Sequence, residues 1–402
     1  MKKYIILTFS FLISFSLHAS FIEATMGTAV VNDATSTYHN PAAMFLLKKP
    51  ELVALGTKAI SHQTFRGQTI VNKTIQSGIA REHTDYKLPS LYFVIPIKNS
   101  LRLGFATLVD NFSSDNDEPS VLRYIQANNH IKNIDYLTSI GFKIKEHFFI
   151  GGGLNYSSAR FVSDPIIGFP NSDMPDSQSH NVSKAQQFGF NVGFMSNFFK
   201  STLIGFNYRS VMPYQFYGKS YFLGPPPLVS PHYHFNFWTP AKSVLTLSHA
   251  ISQDVRFIGT VQLINWHIFK TITLNNLATR IGSKSVIIPA ANVPYHFHDS
   301  FIVTLGAIRS FSSKFILRVA GNYLQSPGNS KYRITTGDSF IIGSSVGYKF
   351  NDYLTMDIGY SHAFIKDKFS NIVSRINQIT GTNSAYRDAI SLKFTLISDY
   401  KN

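Results

Sequence analysis

The sequence predicts an all-β fold: a transmembrane antiparallel up-and-down barrel of about 14 strands, its lumen plugged by an N-terminal segment. Three observations carry this. An export signal opens the chain. The remainder divides into long segments in which apolar and polar residues alternate, and the connections between those segments alternate between tight turns and long loops. Composition agrees: of 402 residues 44% are hydrophobic and only 15% charged, with 35 Phe and 20 Tyr, too apolar for a disordered chain. Cysteine is absent, which excludes a disulfide scaffold and thiolate metal sites.

Met1-Lys2-Lys3 is a short basic region, Tyr4 to Leu17 an apolar run, and Ala19 a small residue before Ser20. This is the pattern of a secretory signal peptide over residues 1–19, cleaved near Ala19. The run is shorter than the roughly 20 residues that a spanning helix needs. Losing Lys2 and Lys3 takes the formal charge from +15 to +13. Every later apolar run is broken within a few positions, so no transmembrane helix is expected and the exported chain is either soluble or a membrane barrel.

Near the C-terminus Ile390, Leu392, Phe394 and Leu396 alternate with Ser391, Lys393 and Thr395. Leu354, Met356, Ile358 and Tyr360 alternate with Thr355, Asp357, Gly359 and Ser361, and Ile140, Phe142 and Ile144 with Gly141, Lys143 and Lys145. Successive side chains of a strand point to opposite faces, so each segment has one apolar and one small or polar face. Alternation alone does not separate a soluble sandwich from a barrel. Lengths do. Strands are expected at about 51–61, 89–97, 101–111, 133–145, 147–161, 185–198, 201–217, 241–251, 254–267, 298–311, 314–326, 338–350, 353–366 and 385–398. Most run 9 to 15 residues, where soluble strands average about five or six and tilted spanning strands need about 9–11. Tight turns such as Lys98-Asn99-Ser100, Ser312-Ser313 and Asn351-Asp352 alternate with long loops such as 62–88, 112–132, 162–184, 218–240 and 268–297. That asymmetry is the signature of an outer-membrane barrel, which closes on itself because lipid cannot satisfy a sheet edge.

Residues 20–50 precede the first strand and carry Phe21, Ile22, Val30, Val31, Met44, Phe45, Leu46 and Leu47, enough apolar surface to require burial. An even strand number puts both termini at the short-turn, periplasmic end, where the nearest burial is the lumen; residues 20–50 are expected to form a plug and residues 51–402 the barrel.

Within that segment, Gly27-Thr28-Ala29-Val30-Val31-Asn32-Asp33-Ala34-Thr35 followed by His39-Asn40-Pro41-Ala42-Ala43-Met44 resembles the hatch of the FadL/TodX-type long-chain fatty-acid and hydrophobic-compound transporters of Gram-negative outer membranes. The hatch motif is Asn40, Pro41 and Ala42. The resemblance continues through Gly151-Gly152-Gly153-Leu154-Asn155-Tyr156, Gly205-Phe206-Asn207-Tyr208-Arg209-Ser210, Asn265-Trp266 with Phe269, and Val346-Gly347-Tyr348-Lys349-Phe350. It implies a fourteen-stranded barrel closed by a hatch, and passive uptake without chemistry or cofactor. A hydrophobic molecule is captured in a groove among the outer loops, passes to a site beside the hatch, and leaves as the hatch rearranges and the barrel wall opens. Fatty acids or hydrocarbons, lipopolysaccharide, outer-membrane lipid and the barrel-assembly machinery are the implied partners, and nucleic acid is not.

Two loops offer apolar residues for the groove: Ile166, Ile167, Phe169 and Met174 in 162–184, and Tyr221, Phe222, Leu223, Phe235 and Trp238 in 218–240. So many on one loop signify a binding surface or mutual packing. Unlike the family's helical loops these are rich in Pro, including Pro225, Pro226 and Pro227. Candidate ligand residues are therefore Phe21, Ile166, Ile167, Phe169, Phe222, Leu223 and Arg160, the last as a lumenal partner for a carboxylate. Where the resemblance leads one to expect a lysine before the tenth strand, the chain has His296-Phe297-His298, so a neutral ligand is as admissible as a fatty acid. The third strand runs through Asp110-Asn111-Phe112-Ser113 without the glycine that favours a kink for lateral exit.

Other signals carry less. Gly343-Ser344-Ser345-Val346-Gly347 fits G-x-S-x-G with Asp357 and His362 following, but the expected strand runs straight on and the nucleophile elbow requires a strand–turn–helix. The pairs His232/His234 and His296/His298 share a strand face as metal ligands do, with no carboxylate nearby in sequence. Asp115-Asn116-Asp117-Glu118 is an acidic loop tip. The spread-out positive charge suits lipopolysaccharide phosphates or anionic ligands better than nucleic acid. The competing class is a loop-mediated adhesin or an open porin.

Overall fold

The computed structural model describes residues 28–116, 120–168, 170–199, 201–374 and 377–399. The expected signal peptide, Phe21, Gly27, Asp117, Glu118 and Phe169 lie outside the described residues.

Eighteen strand segments form one sheet, and they make 14 barrel strands because four strands are each broken once. The unbroken strands are β1 (Glu51–Val71), β2 (Thr74–Lys98), β3 (Leu101–Asn116), β4 (Ala127–Lys145), β5 (Phe148–Ile167), β6 (Ser177–Phe199), β11 (Phe315–Leu324), β12 (Ser339–Lys349), β13 (Leu354–Val373) and β14 (Asn377–Ile397). The broken ones are β7 (Thr202–Arg209 and Met212–Phe222), β8 (Leu228–Thr239 and Lys242–Ala250), β9 (Val255–Ile264 and Thr271–Ile281) and β10 (Lys284–Pro294 and Ser300–Ser310). Each is antiparallel to its neighbours, and β1 closes on β14 from Glu51↔Ile397 to Val71↔Asn377, so no edge is left open there.

The outside is apolar, and many inward positions are polar, the reverse of a soluble protein. Leu154 and Leu305 are 69% and 70% exposed, while Thr246 and Asp357 are 0% and 1%. Along β14, Ile390, Leu392 and Leu396 face out and Ser391, Lys393 and Thr395 face in. That inversion resolves the alternation in favour of a barrel immersed in lipid.

All fourteen expected strands are present, but several expected loops are not loops. Residues 62–88 continue the β1–β2 ladder to a two-residue turn at Asn72-Lys73, both at positive φ as a type I′ hairpin requires. Strands of 21 and 25 residues outrun the roughly 9–11 that cross a bilayer. The segments Thr271–Ile281 and Lys284–Pro294 likewise pair as a hairpin inside what reads as a loop over 268–297. Their sequences are polar or mixed on both faces, so period two fades where the backbone ladder persists.

Residues 28–50 sit within the barrel. They form a short helix, α1 (Ser36–His39), and a 3-10 turn over Pro41–Leu46, and Ala29, Ala34, Asn40, Ala42, Ala43 and Met44 are fully buried. Ala34, Tyr38, Met44 and Leu47 pack on Val53, Tyr92, Leu108 and Leu137 of the wall.

Candidate functional site: a lumen closed at both ends

Asn40 fixes the plug. Its Oδ1 accepts from the Ala42 amide at 3.1 Å, capping the 3-10 turn that Pro41 opens, and its Nδ2 donates to the carbonyls of Ala29 at 2.8 Å and Phe194 at 3.0 Å. One side chain thus ties the turn, the lead-in and the wall. The wall makes room with glycines. Side chains at Gly141 and Gly151 would place a Cβ within 2.9 Å and 2.7 Å of Pro41, and one at Gly193 would collide with Asn40. Gly104 and Gly205 are similarly occupied by Thr37 and Ala29. The glycines of β3 to β7 therefore form one cradle against which the plug backbone lies.

Charge holds the other side. Lys393 of β14 meets Asp33 of the plug at 2.8 Å and lies 3.8 Å from Asp357, which also binds Arg318. Glu51 accepts the Ala34 amide at 2.7 Å. Burial by itself would raise the Asp33 carboxyl, but the Lys393 ammonium and hydrogen bonds from Lys393 and Thr35 hold it well below the usual carboxylate range. Between this face of the plug and the wall lies a cavity of about 360 Å³, lined by Val30, Asn32, Asp33, Ile308, Arg318 and Lys393 and reaching Ser252–Asp254 at the short-turn end.

Above the plug the lumen becomes apolar. Tyr214, Phe216, Tyr233, Phe235, Phe237, Trp266, Phe269 and Tyr295 belong to one buried cluster with Phe112, Ile131 and Phe161. Phe216 and Phe235 stack at 4.9 Å and 5°, and Phe269 lies 5.0 Å from Phe237 and 5.4 Å from Trp266. The floor is polar: Tyr214 donates to Ser157 at 2.6 Å, Ser157 to Asn133 at 2.7 Å, and Asn133 to Asp135 at 2.9 Å. On the same strand as Tyr214, Arg209 donates to the Tyr38 carbonyl at 2.7 Å with its guanidinium 3.8 Å above that ring. Register pairs Arg209 with Lys242. Burial, reinforced by the charges of Lys242 and Arg209, pushes the plug residue His39 down to about 3.

The hairpin Thr271–Pro294 lies across the top. Its second strand has no ladder partner besides the first among the described residues, and the first meets β8 only at Asn275↔His234. It is held instead to β6 and β7. Ser179 Oγ donates to the Ala278 carbonyl at 3.1 Å, the Ala278 amide donates to Ser220 Oγ at 2.9 Å, and Arg280 reaches the Pro175 and Ile167 carbonyls at 3.2 and 3.4 Å. The breaks in β7 to β10 fall in neighbouring strands, and Arg333 covers Tyr295 there at 4.5 Å.

The candidate residues named from sequence do not converge. Phe222 is buried, whereas its neighbour Leu223 is 58% exposed on the outer surface. Ile166 lines a mainly polar cleft of about 290 Å³ with Asn116, Arg123, Asp164 and Asp176, and Ile167 supplies the carbonyl that receives Arg280. Arg160 is a correction: Ala159 and Phe161 face inward, so Arg160 falls on the outer, exposed face and does not line the lumen. A one-residue error of register reverses the face of a strand residue. Arg209 and Lys242 are inward cations beside the plug; Arg209 falls in the stretch Gly205–Ser210 that carries the resemblance, whereas no pattern singles out Lys242. Gly343–Gly347 lies within β12 with no turn, and no group of three His, Asp or Glu side chains among the described residues could hold a metal.

A closed fourteen-stranded barrel, apolar outside, plugged within and capped by a hairpin, defines the class of outer-membrane channel proteins. Within that class the chain belongs to the family of outer membrane protein transport proteins (OMPP1/FadL/TodX), which it matches over residues 23–396. It is 22% identical over 385 residues to outer membrane protein P1 of Haemophilus influenzae, covering 85% of this chain and 82% of that protein. Among solved structures it is similar to a Pseudomonas aeruginosa FadL homologue, with TM-score 0.80, 17% identity and coverage of 92% of this chain and 96% of that one. It is also similar to the Ralstonia pickettii toluene transporter TbuX, with TM-score 0.68, 13% identity and coverage of 96% and 100%. At these identities the structural likeness establishes the fold.

Proposed function

We propose that this protein is a passive outer-membrane channel for hydrophobic compounds, long-chain fatty acids or hydrocarbons, and that it performs no chemistry on them. The aromatic chamber between plug and hairpin carries this reading. An apolar chain gains roughly 0.8 kcal/mol per buried CH₂, so the chamber captures one without an energy source. Arg209 and Lys242 beside the plug suit an anionic headgroup, and the apolar walls suit a hydrocarbon equally. Ligand crosses when the hairpin lifts and the plug shifts; the cavity beside Asp33 and Lys393 is the way out at the short-turn end. The β2–β3 ladder keeps one register from Glu82↔Asn116 to Pro96↔Arg102 but lacks the pairs at Leu88 and Pro89, opposite Asp110 and Val109.

The chain divides on this reading into a cleaved signal peptide (1–19), a plug (20–50) and a barrel (51–402) inserted by the barrel-assembly machinery. Both termini are periplasmic, and the long hairpins face the outside among lipopolysaccharide. Binding of a fluorescent long-chain fatty acid to the detergent-solubilised protein tests the function, with unlabelled fatty acid, decane and toluene as competitors. Saturable, competed binding supports it, and fatty acid against hydrocarbon displacement names the ligand class. Absence of saturable binding for all of them, with no rise in conductance on deleting residues 20–50, shifts the weight to an adhesin or open porin.

A further inference from the structure

The misplaced Arg160 has a use of its own. Register sets Lys132 of β4 opposite Arg160 of β5, and Arg160 opposite Lys184 of β6. All three side chains lie on the exposed outer face. Adjacent strands are about 4.8 Å apart, so three cations are strung across roughly 10 Å. Like charges directly opposite one another destabilise a sheet. No carboxylate pairs with any of the three among the described residues; the nearby outward carboxylates Asp164 and Asp115 are matched with His180 and His130. The row ends at a cleft of about 470 Å³ on the outer wall, where Lys184 and Lys219 stand beside Tyr217 and Tyr221.

Its height matters. Four residues nearer the short-turn end on the same strands, Tyr136, Tyr156 and Phe188 form a register-matched aromatic row with rings 6.3 and 5.1 Å apart. Such girdles mark the boundary of the hydrocarbon. At about 3.3 Å per residue the cations sit roughly 13 Å along the strand beyond it, at headgroup depth.

We propose that Lys132, Arg160, Lys184 and Lys219 form a binding site for the phosphorylated glycolipid of the outer leaflet, lipopolysaccharide. Its phosphates take the cation row, and the aromatic row and Tyr217 take the proximal acyl chains and sugar faces. Arg and Lys supply charge-assisted donors to phosphate oxygens, and the phosphate supplies the counter-charge that the sheet lacks.

The site rests on the orientation proposed above, and the two fail separately. Because the chain has no cysteine, Asn72→Cys labelled on intact cells by an impermeant maleimide reports the orientation alone. The site is tested by native mass spectrometry of the purified protein titrated with bis-phosphorylated lipid A. The combined K132Q, R160Q and K184Q variant, its folding checked by heat-modifiable mobility, should retain at least tenfold less lipid A. Dephosphorylated lipid A should bind the unaltered protein equally poorly. A K98Q, K145Q and K314Q variant, which loses the same charge at the opposite rim, should bind normally. The site is overturned by full retention in the first variant, by equal loss in the second, by binding that ignores the phosphates, or by equal displacement with phosphatidylglycerol.

Discussion

Lys393 and Asp33, 360 residues apart in sequence, meet at 2.8 Å inside the barrel and join the last strand to the plug. Removing one partner of a buried pair leaves a charge without compensation, at about 3–5 kcal/mol. Lys393→Met should therefore loosen the plug and raise the open frequency in planar-bilayer recordings, and Asp33→Asn in the same chain should recover part of the seal. Unchanged conductance in the single variant would remove the latch from the account.

The same pair sets a pH window. A carboxyl held below its ordinary value stabilises the folded state at every pH above that value, near 4. Its contribution is lost only as the pH falls from there toward the depressed native value, the direction seen for Asp33. His39 of the plug, kept neutral by burial with its value pushed down to about 3, weakens the seal from its free value near 6.5 downward. Conductance recorded from pH 8 down to 3 should therefore rise below about pH 6.5 in the unaltered protein and, in a His39→Gln variant, stay flat to about pH 4 and rise below it. In the His39→Gln variant, a rise still centred near pH 6 would assign the seal to some other group.

Asn40→Ala removes a cap and two further bonds to buried carbonyls. Losing the cap costs about 0.5–2 kcal/mol, and leaving a buried acceptor unpaired costs about 1–3 kcal/mol. The barrel ladder is untouched, so heat-modifiable mobility should persist while small-antibiotic sensitivity of cells increases. Loss of the folded band instead would make Asn40 a folding residue of the barrel itself.

Gly193→Val tests the cradle. Its side chain would occupy the place of Asn40, so the plug should fail to seat while the barrel still assembles. Overpacking of this kind costs about 1–3 kcal/mol. Protease protection of residues 28–50 in purified protein is the measurement, and full protection would contradict the packing described.

Arg280 anchors the hairpin over the chamber through the Pro175 and Ile167 carbonyls. Arg280→Ala should release it, increasing cleavage at the Gly282-Ser283 turn severalfold in limited proteolysis and speeding association of fluorescent fatty acid. If neither rate changes, the Ser179 and Ser220 bonds to Ala278 hold the hairpin without it.

Much of this architecture is legible in the sequence, and the limits are physical. Period two is a local property, so the fourteen strands from Glu51 to Ile397 could be counted wherever one face is apolar, and the apolar residues around Asn40-Pro41-Ala42 announced a segment that needed burial. Where both faces turn mixed, as in residues 62–71 and 271–294, the ladder is held by backbone hydrogen bonds that no side-chain pattern records. Which residues meet is a matter of register and closure. These put Arg160 outside, set Lys132 and Lys184 beside it, brought Lys393 to Asp33 and folded Arg280 onto β5 and β6. A shift of one residue in pairing changes every such partner while leaving the alternation intact, so only the closed barrel decides them.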